Sequence, residues 1–195
     1  MYLAKIIISI SIIFWLLPPF RQLRGGYFLF FLLLGYSDPL AQFMLWAFRL
    51  NSNYVHSVIA LLICYTVLYY NKNLNYKWVV ALFLILLLSF CLGIKEIRLL
   101  TFIGFHLIIF VQILITTTKE IYLKHRINIY FSVLLIYELS VILRFIALVN
   151  NYASGIYFFY LTGVFEMFIC LFFIFYNLEN SPVIKLRTSI TEQEY

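Results

Sequence analysis

Three carboxylates interrupt long apolar stretches of this sequence and are its best candidates for chemistry. Asp38, Glu138 and Glu166 each lie about ten or eleven residues into a separate apolar stretch. At 1.5 Å per residue in a helix, this places each of them about 15 Å deep, near the middle of a bilayer. An ionisable side chain costs roughly 2.5–3.5 kcal/mol there and usually faces the interior of a helix bundle. The pattern predicts a buried site for a proton, a cation or a small polar ligand.

Further polar residues lie at informative spacings from these carboxylates. Gln42 follows Asp38 by four residues and therefore shares its helix face. Arg144 follows Glu138 by six residues, which puts the two about 120° apart on a helix, so we expect Arg144 to pair with another helix. His106 lies in the fifth apolar stretch. The predicted ligand-binding set is therefore Asp38, Gln42, His106, Glu138, Arg144 and Glu166.

The same residues also have a structural interpretation. A carboxylate can pair with Arg144 or His106, or form a hydrogen bond across helices, simply to hold a bundle together. Buried carboxylates can instead exchange protons near neutral pH, which favours a functional site. Both interpretations stay open from the sequence. His56, at the end of the third stretch, is expected at the membrane interface.

Motifs for common kinds of chemistry are missing from the sequence. It has no metal-binding spacing of His or Cys, no glycine-rich phosphate loop and no GxSxG elbow. We therefore expect no metal, no cofactor and no catalytic residue. The first hypothesis is a transporter-like or sensor-like protein with a midplane carboxylate site. The alternatives are a non-catalytic subunit or scaffold of a larger membrane complex, and a membrane-embedded lipid-modifying enzyme with His106 and the carboxylates as acid and base.

Composition indicates that these residues lie in a membrane. Hydrophobic residues are 65% of the 195 residues and charged residues 11%, whereas a soluble domain is about a quarter charged. A bilayer core about 30 Å thick needs about 20 mainly apolar residues per helix. Seven stretches have about this length: 2–19, 27–48, 54–70, 77–94, 98–118, 128–149 and 155–176. The sequence predicts an all-α, polytopic membrane protein with seven transmembrane helices.

Basic residues in the connecting segments predict the orientation. Nine of them fall on one side: Arg21, Arg24, Lys72, Lys77, Lys119, Lys124, Arg126, Lys185 and Arg187. The other side has four: Lys5, Arg49, Lys95 and Arg98. Because cytoplasmic loops carry an excess of Lys and Arg, we expect the N-terminus outside and the C-terminus in the cytoplasm. The expected location is a bacterial inner membrane or another plasma membrane.

The excess of Lys and Arg also indicates which binding partners to expect. The net charge is +6, and the basic residues of short loops meet anionic lipid headgroups. No basic stripe is long enough to follow the phosphates of a nucleic acid, so we expect no nucleic acid partner. The expected partners are the lipid bilayer and other membrane proteins, in a complex or in a homo-oligomer.

Two triplets of apolar stretches resemble each other in sequence. Residues 63–71, ICYTVLYYN, and 169–177, ICLFFIFYN, are identical at four of nine positions. Asparagines follow the second stretch of each triplet, at Asn51 and at Asn150-Asn151-Tyr152. This pattern predicts a membrane domain over 1–176 made of two parallel three-helix repeats. The repeats cover about 1–71 and about 98–177, helix 77–94 joins them, and 177–195 is a cytoplasmic tail. Coincidence in a sequence of biased composition is the alternative.

A short polar segment after the first stretch adds a resemblance. It reads Pro18-Pro19-Phe20-Arg21-Gln22-Leu23-Arg24-Gly25-Gly26. With the three-plus-one-plus-three arrangement, it resembles the PQ-loop group, which includes the SWEET sugar transporters with their parallel repeats. That group has an adjacent Pro-Gln pair here, whereas Pro19 and Gln22 are separated in this chain, and Gln112 has no proline before it. The resemblance implies a seven-helix fold.

Overall fold

The computed structural model describes residues 2–23, 25–72, 75–150 and 156–186, with the side chains of 2–5, 7, 8 and 156–160 left aside. Some residues used in the sequence predictions lie outside the described parts: Arg24, Asn151, Tyr152 and the tail residues 187–195. The chain is all-α, and 81% of it is helical. The described residues form seven helices of 14 to 30 residues and one helix of 4 residues.

The helices follow one another with short connections. They are α1 (Tyr2–Trp15), α2 (Pro18–Arg21), α3 (Phe28–Phe48), α4 (Ser52–Tyr70), α5 (Tyr76–Leu92), α6 (Lys95–Lys124), α7 (Ile129–Val149) and α8 (Ile156–Phe175). Two strands, β1 (Arg126–Asn128) and β2 (Val183–Lys185), complete the fold. Within the part of the chain that the structure describes, four helices, α3, α4, α6 and α7, are long and apolar enough to cross a membrane. The shorter apolar helical segments are Ser9–Arg21, which includes the end of α1 and all of α2, Tyr76–Leu92, which is α5, and Leu161–Phe175, which belongs to α8.

Polar residues fix where several helices begin and end. The side-chain oxygens of Asn51, Asn75 and Asn128 each accept a hydrogen bond from the backbone N–H two residues further on. Each asparagine thereby satisfies one donor that the first turn of a helix leaves without a partner. Arg49 and Gly93 end α3 and α5 in the left-handed conformation, with φ of 55° and 67°. Short connections of this kind make consecutive helices antiparallel neighbours.

Two helices differ from the predicted stretches. The first stretch breaks after Trp15, because Pro18 and Pro19 start the separate helix α2, where a proline has no N–H to lose. Helix α6 is longer than 98–118 and continues to Lys124. Its three consecutive threonines, 116–118, each donate to the carbonyl four residues earlier, so their hydroxyls are satisfied within the helix.

Six helices form a closed ring in the order α1, α3, α4, α6, α7, α8 and back to α1, each packing against the next. Helix α5 packs outside this ring, against α4 and α6. The contact between α1 and α3 depends on Gly35, because a Cβ there would overlap the backbone carbonyl of Trp15. The ring therefore closes at α1 through a backbone contact that a larger residue would prevent.

An aromatic layer closes one end of the ring. It consists of Tyr27, Phe30, Phe31, Tyr130, Phe131 and Phe173, each at most 3% exposed. The ring centroids of Phe31 and Phe173 are 4.7 Å apart, and those of Tyr130 and Phe173 are 5.3 Å apart. Their tilted and edge-on geometries are those that aromatic pairs prefer. This layer joins the first turns of α3 and α7 to the last turns of α8.

The segment after α8 folds back against the junction of α6 and α7. Strand β2 pairs antiparallel with β1, with Ile184 opposite Ile127. The Tyr130 backbone N–H donates to the Ser181 hydroxyl at 3.0 Å, and the Ile129 N–H donates to the Pro182 carbonyl at 3.0 Å. These two short strands were not predicted from the sequence. They tie residues 181–186 to the start of α7.

Candidate functional site

The ring of six helices encloses a cavity of about 430 Å³, which we call the central cavity. Each of the six helices contributes to its wall. Its titratable and charged residues are Asp38, His56, His106, Tyr137, Arg144 and Glu166, and its other aromatic residues are Trp15, Phe102 and Phe145. The volume lies in the range of small-molecule sites, about 300–1,000 Å³. An apolar cavity with a few converging polar groups is the usual form of such a site.

Asp38 enters the cavity from a local irregularity of α3. Pro39 lies inside the helix and has no N–H, so the Gly35 carbonyl lacks its usual partner. Ser37 turns its hydroxyl back to the Leu34 carbonyl at 2.7 Å. The side chain of Asp38 is 57% exposed, and its Oδ1 lies 3.7 Å from His56 Nε2. At that distance and exposure the pair is weak, so Asp38 keeps most of its capacity to bind a ligand.

His56 lines the central cavity from the second turn of α4, and its expected depth at the membrane interface stays a prediction. Its side chain is 30% exposed. It shares one face of α4 with Ile59, Ala60 and Ile63, which line the same cavity at helical spacing. That spacing was the sequence signal that could have placed His56 on the inner face.

His106 and Glu138 form a buried pair between α6 and α7. His106 Nδ1 lies 2.7 Å from Glu138 Oε2, and the two side chains are 4% and 1% exposed. His106 lines the cavity, whereas Glu138 lies behind it. Glu138 Oε1 is buried without a hydrogen-bond partner among the described residues. The Phe102 ring, 4.4 Å from His106 between centroids, helps to hold the imidazole in place.

Arg144 and Glu166 form a second pair, between α7 and α8. Arg144 Nη1 lies 2.8 Å from Glu166 Oε1, and the side chains are 26% and 10% exposed. The guanidinium carbon is also 5.8 Å from the centre of the Phe145 ring. Arg144 shares its helix face with Tyr137 and Val141, which line the cavity as well. Both groups of the pair border the cavity, so a ligand could contact either of them.

The predicted set of six residues divides into three groups. Asp38, His106, Arg144 and Glu166 line the central cavity. Glu138 reaches it only through His106. Gln42 is exposed and does not line the cavity, although it shares a helix face with Asp38 by spacing.

Gln22, from the polar segment after the first stretch, lies at the closed end of the ring. It is fully buried, and its Nε2 donates to the Tyr176 carbonyl at 2.9 Å and to the Phe173 carbonyl at 3.4 Å. Its Oε1 accepts from the Tyr130 hydroxyl at 3.4 Å. Gln22 therefore joins the end of α8 to α7 beside the aromatic layer and does not line the cavity.

The charges around the cavity are unbalanced. With all three carboxyl groups ionised and both histidines neutral, Asp38, Glu138 and Glu166 would outweigh the guanidinium of Arg144 by two negative charges. Protonation of His56 and His106 would bring this sum to zero. A negative cavity with aromatic walls attracts cations and protons.

Comparison of the chain with protein-family models, with curated proteins and with solved structures gives no match.

Proposed function

We propose that this chain is a multi-pass membrane protein whose central cavity binds a proton, a cation or a small polar ligand, in a transporter-like or sensor-like role. The observation that supports this most is the meeting of Asp38, Arg144 and Glu166 at one cavity of about 430 Å³. Charged groups that only hold helices together do not need a cavity beside them. The exposure of Asp38 leaves a carboxylate ready for an incoming ligand.

We propose further that all seven longer helices cross the membrane. Large apolar side chains point outward even on the shorter helices: Ile13 on α1, Leu88 on α5 and Phe168 on α8 are 60%, 61% and 68% exposed. Such continuous apolar surface suits lipid and not water. With the positive side in the cytoplasm, the N-terminus lies outside, in a bacterial inner membrane or another plasma membrane.

The arrangement of neighbours in the ring supports the proposed three-plus-one-plus-three repeat. Suppose that α1 is exchanged with α6, α3 with α7, and α4 with α8. Each pair of helices that are neighbours in the ring then becomes another pair of neighbours in the same ring. Helix α5, the proposed linker, stands outside the ring. This pseudo-twofold pattern is the one that the resemblance to the PQ-loop group implies. Parallel repeats place a ligand site at their interface, where the central cavity lies.

Infrared spectroscopy of the purified protein during a pH titration tests the proposal. Protonated carboxyl groups have their own stretching band, so the cavity carboxylates should produce pH-dependent bands. We expect Asp38→Asn and Glu166→Gln each to remove part of this signal. Glu179→Gln, a carboxylate in the exposed turn after α8, is the matched control and should leave the cavity bands in place. Identical titrations of the cavity variants and the wild type would contradict proton binding in the cavity.

Flux measurements separate a transporter from a sensor. Proteoliposomes with a trapped pH dye report proton entry after an imposed pH gradient. A transporter should show flux that Asp38→Asn and Glu166→Gln abolish and Glu179→Gln preserves. A sensor should show the infrared titration without any flux.

The pair of His106 and Glu138 favours a second candidate function, acid–base catalysis on a lipid. A carboxylate at 2.7 Å from one imidazole nitrogen fixes the orientation of the ring, which is how many catalytic histidines are held. Comparing the lipid composition of cells that carry wild-type protein or His106→Asn tests this candidate. A lipid that accumulates in the variant would support it, and unchanged lipids would count against it.

A further inference from the structure

We propose that a groove on the outer surface of α3 and α4 binds one acyl chain of a phospholipid, and that Arg98 and Tyr54 bind the phosphate of its headgroup. This inference depends on the proposed membrane location and not on the function of the central cavity. The groove shares only Ile59 with the wall of the central cavity.

The lining of this outer groove is almost entirely apolar. Its volume is about 580 Å³, and its wall consists of Leu32, Leu33, Tyr36, Leu40, Met44, Leu50, Tyr54, Val55, Val58, Ile59 and Leu62. Tyr36, Val58 and Leu62 are 49%, 39% and 41% exposed, so the groove opens to the outside of the ring. In a membrane that outside is hydrocarbon, and an acyl chain is the molecule that fills an apolar groove there.

The groove runs from the Tyr54 end of the helices past the level of Asp38, the expected midplane, and is long enough for one acyl chain. Its lining runs along α3 from Leu32 to Met44 and along α4 from Tyr54 to Leu62. At 1.5 Å per residue these segments measure about 18 Å and about 12 Å. Half of a bilayer core about 30 Å thick is about 15 Å. One acyl chain can therefore lie along the groove with its headgroup at the Tyr54 end.

A cationic group contacts Tyr54, which lines that end of the groove, although Arg98 is not itself among the lining residues. Arg98, near the start of α6, donates from Nη1 to the Tyr54 hydroxyl at 2.9 Å, and its guanidinium carbon lies 4.9 Å above the Tyr54 ring. Its Nε is buried and has no hydrogen-bond partner within the part of the chain that the structure describes. Salt bridges between described residues do not include Arg98. A guanidinium without a carboxylate, beside a tyrosine hydroxyl, complements a phosphate.

The positions of Tyr54 and Arg98 along their helices agree with a phosphate site at the headgroup level. Tyr54 and Arg98 lie in the first turns of α4 and α6, at the same end of the ring. Tyrosine and arginine near helix ends occupy the headgroup region of a bilayer. The phosphate of a lipid whose chain fills the groove would reach the same level.

Native mass spectrometry tests the proposal on the full chain in mild detergent, after phosphatidylglycerol is added. We expect the wild type to retain one phospholipid, and Val58→Trp, which fills the groove, to lower its occupancy at least fivefold. Leu40→Trp fills the groove from α3 and should have the same effect, which guards against a folding defect in either variant. Val80→Trp, at a position 52% exposed on α5 outside the groove, is the matched control and should retain the lipid.

The phosphate contact needs a second comparison. The wild type should bind phosphatidylglycerol at least fivefold more tightly than diacylglycerol, which has no phosphate, and Arg98→Gln should remove this preference. Lys95→Gln removes the same charge at an exposed position of the same helix end and should keep the preference. Retention of lipid by both groove variants would overturn the proposal, as would equal binding of the two lipids by the wild type. An unchanged infrared titration in Val58→Trp would show that such a failure concerns the groove and not the central cavity.

Discussion

His106 Nδ1 lies 2.7 Å from Glu138 Oε2 in a part of the helix bundle where neither side chain is more than 4% exposed. Burying two ionisable groups is unfavourable unless each compensates the other. The same contact therefore holds α6 against α7 and fixes the His106 imidazole in the wall of the cavity.

Breaking this pair should destabilise the protein strongly. His106→Leu leaves the Glu138 carboxyl group buried without its partner, and we expect a loss of about 3–5 kcal/mol in the free energy of unfolding. The double variant His106→Leu/Glu138→Leu should recover most of that loss, because two apolar side chains can replace a buried pair. Unfolding in detergent, followed by circular dichroism, measures both. His56→Leu, facing the more exposed Asp38, is the matched control and should cost less than about 1 kcal/mol. Equal losses in the single and double variants would contradict the coupling.

The pair of Arg144 and Glu166 should contribute less to stability than the pair of His106 and Glu138. It is 26% and 10% exposed, so Arg144→Gln should cost about 1–3 kcal/mol, between the values for exposed and buried ion pairs. The exchanged variant Arg144→Glu/Glu166→Arg should be more stable than either of its single substitutions. Lys124→Gln breaks the exposed pair with Glu120 and should change stability by less than about 0.5 kcal/mol. An exchanged variant no more stable than its singles would argue against a direct interaction.

Gln22 should be required to hold the end of α8. Gln22→Leu leaves the Tyr176 and Phe173 carbonyls without their donor, and we expect a loss of about 1–3 kcal/mol. Hydrogen exchange of the last turn of α8 should become faster in this variant. Gln42→Leu replaces an exposed glutamine and should stay within about 0.5 kcal/mol of the wild type. If both glutamine variants behave alike, the hydrogen bonds of Gln22 do not stabilise α8.

Alanine at Gly35 should lower the stability of the protein, whereas alanine at Gly104 should raise it. A Cβ at Gly35 would overlap the Trp15 carbonyl, so Gly35→Ala must push α1 away from α3, at a cost of about 1–3 kcal/mol. A Cβ at Gly104 meets nothing within 4 Å, so Gly104→Ala should stabilise α6 by about 0.4–1 kcal/mol. Thermal unfolding of the two variants checks both signs. Equal stability would show that α1 and α3 do not pack as tightly as described.

The sequence allows the helices to be predicted far better than their partners. Hydrophobic stretches mark α3, α4, α5 and α7 to within two residues at each end. In α4, α5 and α7 an asparagine directly before the apolar run gives a local signal for the helix start. The break at Trp15 was missed because Pro18 and Pro19 are tolerated in the first turn of a new helix. The strands β1 and β2 were missed because three-residue segments carry no periodic pattern.

The candidate site was predictable only in part. The depth of Asp38, Glu138 and Glu166 follows from their distance along each helix, which is a property of the sequence. Which way each side chain faces depends on how the helices rotate against their neighbours, and a single helix does not specify that rotation. Gln42 illustrates this, because its spacing from Asp38 is right and yet it faces away from the cavity.

The aromatic layer has an electrical consequence if the helices cross a membrane as proposed. A closely packed apolar layer has a low dielectric constant, so most of a membrane potential would fall across that layer and not across a cavity that water can enter. A proton that reaches Glu166 without crossing this layer would then cross only the small remaining part of the field. Crossing the whole field changes the free energy by about 2.3 kcal/mol per charge for each 100 mV. Occupancy of the cavity from its own side of the layer would therefore depend mainly on pH and only weakly on voltage, whereas a charge moved through the layer would experience most of the field.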